Sequence, residues 1–140
     1  PLTDEEYEIM KTHTIAGCQL LNSIPNFQGS EMYTYAYNIC RHHHEKYDGT
    51  GYPSGLKGEE IPLYGRIIGV ADAFDAMTAN RVYRKQLDFD YVLNELKRCR
   101  GTQFDPQYAK IMLEMIDEDK DYQMQEWKTP FKRISGVIES

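Results

Sequence analysis

Cysteine is scarce in this chain: Cys18, Cys40 and Cys99 are odd in number and widely spaced. That excludes a disulfide framework and zinc-finger spacing, and it reads as buried free thiols in a reducing compartment. Cationic excess is missing too, with 16 Lys and Arg against 22 Asp and Glu and a net charge of -6. A bulk DNA- or RNA-binding surface is thereby excluded, whereas a small anion in a local basic patch is not. No apolar run is long enough to span a bilayer and no signal peptide is recognisable. The chain is therefore expected in the cytoplasm. No internal repeat and no low-complexity tract occurs. Position 1 is proline rather than methionine, so the 140 residues read as a processed product or a piece of a larger protein. At this length one domain is the default.

What the chain does have is histidine in one place. His42, His43 and His44 end an expected helix, and Glu45-Lys46-Tyr47-Asp48-Gly49-Thr50-Gly51-Tyr52-Pro53 follows as a tight, glycine-punctuated turn. Imidazoles opened out by a turn suggest a metal site at the mouth of a cleft. Residues 47–62 are irregular, and a loop this long in a compact domain is more often functional than idle.

Helical signals surround that loop. Thr3 with Glu6 three residues on reads as a capping box, with Leu2 as a hydrophobic staple. Tyr7, Met10, His13, Gly17, Leu20 or Leu21 and Ile24 recur on one helical face. His13 thus sits on the packed face, as a core histidine or a ligand. Gly17 on the same face permits close approach. Ser30 caps a second helix that runs into the histidines. Pro62 opens another, in which Asp72 and Asp75 stand beside the apolar stripe of Ile67, Val70, Phe74 and Met77. A carboxylate so placed is costly without a cation or donor, which makes Asp72 a ligand candidate and Asp75 a structural cap or an orienter of a histidine. Asn80-Arg81-Val82-Tyr83-Arg84-Lys85 is a basic knot that suits a phosphate or a helix end. Helices from Asp88 to Gly101 and from Asp105-Pro106 onward read as packing elements. The period of the tail, with Trp127, Phe131 and Ile134, is unclear.

Imidazole and carboxylate donors without thiolate suit Fe, Mn, Zn or similar divalent ions. Such a site can activate water against a phosphorus centre, with Arg81 and Arg84 gripping a second phosphate and Tyr52 stacking on a base. The residues alone reach a metal-dependent hydrolase of a phosphate compound. Oxygenases and plain metal-binding modules use similar donor sets.

The run from His43-His44-Glu45 through Gly51-Tyr52-Pro53, Gly55-Leu56-Lys57-Gly58-Glu59-Glu60-Ile61-Pro62, Arg66-Ile67, Ala71-Asp72-Ala73-Phe74-Asp75-Ala76-Met77 and Arg81-Val82-Tyr83-Arg84 closely resembles the HD-GYP domain family. The likeness continues through Gly101-Thr102-Gln103-Phe104-Asp105-Pro106. It implies an all-α fold of the HD superfamily that hydrolyses cyclic di-GMP to pGpG or GMP at a two- or three-metal centre, Fe or Mn. Some relatives prefer a mixed guanine-adenine cyclic dinucleotide. By position, His13, His43, His44 and Asp72 match metal ligands, with His43, His44 and Asp72 at the catalytic centre. Arg81, Arg84 and Tyr52 match substrate-binding positions. Asp75, Asp48, Gly49, Gly51 and Pro53 match supporting or loop positions.

The resemblance also implies an earlier helix set with a His-Asp pair and a lysine, and none is found here. The domain is thus expected to be incomplete at its N-terminus, with residues 1–117 a partial HD-GYP unit and 118–140 a tail or docking segment. Enzyme activity is left open: weak or absent turnover is expected, with a non-catalytic signalling module binding a partner through the GYP loop as the alternative. Cyclic di-GMP, a diguanylate cyclase, a sensory or receiver domain, or a second copy of the chain are the expected partners, without a nucleic-acid polymer or membrane segment.

Overall fold

The computed structural model describes residues 2–78 and 89–118. These form six α-helices and no β-strand: α1 (Asp4–Lys11), α2 (His13–Ser23), α3 (Glu31–His42), α4 (Leu63–Thr78), α5 (Phe89–Arg98) and α6 (Pro106–Glu118). The all-α expectation holds. The tail at 119–140 and the basic knot with Arg81, Tyr83 and Arg84 lie outside the described residues, as does the Asp88 cap.

Local chemistry sets most helix starts. Thr3 Oγ1 accepts from the Glu6 amide at 3.2 Å, while the Glu6 carboxylate accepts from the Thr3 amide at 2.8 Å. This reciprocal pair satisfies two amides that a helix leaves open. Ser30 accepts from the Tyr33 amide at 3.1 Å and caps α3. Pro106 occupies the first position of α6, where its missing N–H costs nothing, and Asp105 Oδ1 accepts from the Gln107 amide at 2.8 Å.

One expectation fails. The face from Tyr7 to Ile24 is not a single helix but α1 and α2, broken at Thr12. The Thr12 hydroxyl donates back to the Ile9 carbonyl at 2.6 Å, a local bond that competes with the helical ladder. His13 consequently begins α2 and is exposed rather than packed.

α4 is the shared wall. On one side it packs against α3, which packs on α2; on the other it packs against α5 and α6. The core lies on the second side, where Val70, Val92, Leu96, Cys99, Phe104, Ala109 and Ile116 are buried. Each large aliphatic among them contributes about 1.5–3 kcal/mol by leaving water. On the first side Ile9, Leu20, Ile24 and Met32 remain exposed. No helix of the described residues is long and apolar enough to cross a membrane.

Two close approaches need glycine. A Cβ at Gly65 would fall 2.9 Å from His42 Cβ, so α4 passes directly over the end of α3. A Cβ at Gly51 would fall 2.2 Å from the Lys46 amide nitrogen, so the loop folds back on its own start. The loop is also tied across to the α5–α6 turn, with Tyr47 N donating to Gln103 O at 3.1 Å and Asp48 N to Thr102 O at 2.8 Å.

Candidate metal centre

The start of α2 and the end of α3 meet, because the two helices pack side by side. That contact brings together His13, from the first position of α2, with His43 and His44, which follow α3. One ligand nitrogen from each of the three lies within 4.8 Å of the others. His13 Nε2 and His43 Nε2 are 3.4 Å apart.

The imidazoles are held in different ways. His13 Nδ1 donates to the Met10 carbonyl at 2.7 Å, and His43 Nδ1 donates to the Ile39 and Cys40 carbonyls at 2.9 and 3.1 Å. A backbone carbonyl on one ring nitrogen fixes the tautomer and leaves the other nitrogen free to ligate. The His44 ring makes no hydrogen bond among the described residues. It instead stacks on Tyr52, with centroids 4.9 Å apart and planes at 30°. Burial first, then the neighbouring His43 and His13, pushes the His44 imidazole down to about 4, and the Asp72 carboxylate opposes that drop. The ring is thus neutral near pH 7, the form that binds a metal.

The three-imidazole set fits a divalent first-row ion in donor type and spacing. His42 does not join it. It is buried and lies outside that group, and its Nδ1, 3.6 Å from the Glu45 carboxylate, is the buried side-chain polar atom left without a hydrogen-bond partner among the described residues.

A cleft of about 330 Å³ opens beside the cluster, lined by His43, His44, Tyr52 and Asp72, and continues toward Arg66, Gln103 and Asp105. Asp72 therefore shares the space without belonging to the 4.8 Å group. Both Asp72 and Asp75 are exposed, so the desolvation cost expected of them does not arise. The spacing rule placed Asp72 on the correct helix, but exposure depends on what covers that helix, which spacing does not encode. Asp48 is exposed, and its carboxylate accepts from the Thr50 hydroxyl and amide of its own loop at 2.7 and 2.9 Å. Those two bonds hold it below the usual carboxylate range. Gly49 has φ of 84°, while Pro53 follows a cis peptide bond and is exposed.

Sequence reasoning passed over Tyr7, Lys11 and Glu45 as site residues. Tyr7 meets Tyr52 edge-on at 6.4 Å, and Lys11 Nζ lies 5.4 and 5.9 Å from the two ring centres. Tyr7 carried a signal, since it shares the helical face read for His13. Glu45 carried none, because its partners lie nine and eleven residues ahead in an irregular loop.

The family described as HD domain matches residues 1–108. A cyclic di-GMP phosphodiesterase of Thermotoga maritima is 38% identical over 120 residues, covering 86% of this chain and 32% of the relative. The cyclic di-GMP phosphodiesterase response regulator RpfG of Xanthomonas campestris pv. campestris is 41% identical over 112 residues, 80% of this chain and 29% of the relative. The 3'3'-cGAMP-specific phosphodiesterase 2 of Vibrio cholerae is 37% identical over 117 residues, 84% of this chain and 22% of the relative. The chain thus spans about a third or less of the length of these relatives.

Proposed function

This chain belongs to the HD domain family, as its resemblance to the HD-GYP group implied, and from that membership we propose that it carries a metal-dependent phosphodiesterase centre acting on a cyclic dinucleotide, cyclic di-GMP first. The observation that carries this reading is the convergence of His13, His43 and His44 at a cleft that Asp72 and Tyr52 also line. His13, His43 and His44 would hold a divalent ion, Fe or Mn, with Asp72 as a further ligand of the centre. The bound ion would supply an activated water and neutralise phosphoryl oxygens.

The chain's own residues supply the rest. The carbonyls of Met10, Ile39 and Cys40 fix two imidazoles with Nε2 free. Tyr52 walls the cleft beside His44 with a face on which a guanine base can stack. Burial pushes its phenol up to about 12, so it stays protonated and apolar-faced. Arg81 and Arg84 are proposed to grip the substrate phosphates. Residues 1–117 are proposed as an HD-GYP unit of weak or absent turnover and 118–140 as a tail or docking segment. A sensory or receiver domain, or a diguanylate cyclase, is the proposed regulatory partner.

Elemental analysis of the chain purified without chelators, joined to turnover of cyclic di-GMP and 3'3'-cGAMP with added manganese or ferrous iron, tests the proposal. Bound metal with hydrolysis of either dinucleotide supports it. Metal without hydrolysis favours a binding module, and absence of metal uptake sinks the metal-centre reading.

A further inference from the structure

Glu45 follows the paired histidines directly, yet its side chain is wholly removed from solvent. A buried carboxylate is costly unless its oxygens are satisfied. Here Oε1 accepts from the Ser54 amide at 2.8 Å and Oε2 from the Leu56 amide at 3.1 Å. Both donors belong to the loop that turns back at Gly51, where a Cβ would overlap the backbone of Glu45 and Lys46. The returning strand of loop adds one more bond, from Tyr52 N to His44 O at 3.2 Å. The carboxylate, the tight return and that bond together set where residue 52 lies.

His44 is the imidazole that depends on this placement. His13 and His43 each spend Nδ1 on a backbone carbonyl, but the His44 ring has no hydrogen bond among the described residues. Imidazole torsion about the ring bond is broad and roughly two-fold, so an unbonded ring needs another restraint. The two other imidazoles pack on this ring, His43 at 4.1 Å and His13 edge-on at 4.9 Å, and Tyr52, stacked at 4.9 Å, is the restraint from outside the trio. Metal-ligating histidines are ordinarily oriented by a hydrogen-bond partner on the far nitrogen. In this chain an aromatic face does that work for one ligand, and a buried acid holds the face in place.

We propose that Glu45 is the positioning residue of His44: its carboxylate clamps the amides of Ser54 and Leu56, so that Tyr52 lies on the His44 ring and presents that imidazole to a divalent ion. The arrangement of the ring stands on the geometry alone, and only the metal consequence rests on the centre proposed above. Glu45 lies outside the trio of nitrogen donors, and its Oε1 also stands 3.6 Å from His42 Nδ1.

The test is histidine-ring NMR on the metal-free chain together with a Mn²⁺ titration. In the wild type the His44 ring protons carry an upfield ring-current shift from Tyr52. Glu45→Gln should abolish that shift, leave the His13 and His43 rings unchanged, and weaken Mn²⁺ binding about 10- to 100-fold. Glu45→Asp, which keeps the charge but shortens its reach, gives the same reading where Gln does not fold. Tyr52→Leu should remove the shift while the Ser54 and Leu56 amides stay protected, and Tyr52→Phe should restore it. A Glu45 variant, or Tyr52→Leu, that keeps the wild-type His44 shift overturns the proposal. A wild-type chain that takes up no Mn²⁺ sinks the metal centre instead, and the ring shifts still decide the role of Glu45.

Discussion

Gly17 of α2 lies so close to Cys40 of α3 that a Cβ at position 17 would fall 2.2 Å from the Cys40 sulfur. The two helices therefore touch through a glycine and a thiol, which in turn donates to the Thr14 carbonyl at 3.9 Å. His13 stands one turn before this contact on α2, and His43 follows one turn after it on α3. The spacing between the two imidazoles is set here. Gly17→Ala should cost about 1–3 kcal/mol through overpacking and should weaken Mn²⁺ binding by moving His13 from His43. Cys40→Ala added to it removes the clashing sulfur and should restore both. A single variant with wild-type melting and metal affinity would show that the contact yields.

Arg66 and Asp105 form the second joint, between α4 and the start of α6. The guanidinium Nη1 is 2.7 Å from Asp105 Oδ2, with both side chains largely buried. Arg66 Nε also donates to the Ile61 carbonyl at 3.0 Å. Removing either partner leaves a charge in low dielectric, so Arg66→Met or Asp105→Asn should each cost about 3–5 kcal/mol. The double variant should cost less than the sum, because the stranded charge disappears with its partner. Urea unfolding of the four proteins measures the coupling, and strict additivity would be evidence against the pair.

Much of this was readable from short-range chemistry. Thr3 with Glu6, Ser30, and Asp105-Pro106 marked helix starts correctly because a cap needs only residues within one turn. Paired histidines at a helix end pointed to the site because neighbours in sequence stay neighbours in space. The close approach at Gly17 was legible as well, since glycine on a packed face has few other reasons to be there. Three features were not legible. Thr12 broke the first helix through a bond that competes with an equally local ladder, and no rule of spacing ranks those two. The exposure of Asp72 and His13 depends on what neighbouring segments cover, a long-range property. Glu45 hid because its burial comes from a loop whose path has no period.

The neighbouring histidines should separate into two classes. His13 is exposed and belongs to the trio, whereas His42 is buried beneath α4 and does not. His13→Ala should leave the stability of the metal-free chain within about 0.5 kcal/mol, as for most surface changes, yet abolish Mn²⁺ uptake. His42→Asn should do the opposite, lowering the melting temperature through a poorly filled and still polar site while the bound metal per chain is retained. Elemental analysis beside thermal melting reads both effects. Loss of metal from His42→Asn as complete as from His13→Ala would break the assignment.

Acid should destabilise the metal-free chain through His42 and His44. Burial is the largest cause in both cases, and it lowers each imidazole from 6.5, His44 to about 4. Glu45 pulls His42 back upward and Asp72 does the same for His44, but neither outweighs desolvation. The sign follows from linkage. As pH falls below 6.5 the unfolded chain takes up these protons first, so the native state loses ground between 6.5 and the lower native values. The stabilisation is complete above 6.5 and is withdrawn as pH drops toward about 4. Melting of the metal-free chain should therefore move to lower temperature on going from neutral pH to about pH 5. His44→Gln should make that decline shallower, since it removes one of the two proton sinks. A divalent ion should steepen it, because metal binding to neutral imidazole adds a further reason to resist protonation. A melting temperature indifferent to pH over this window would mean that both rings take up protons as readily in the native state as in the unfolded chain, and the half-buried, neutral His44 described above would have to be given up.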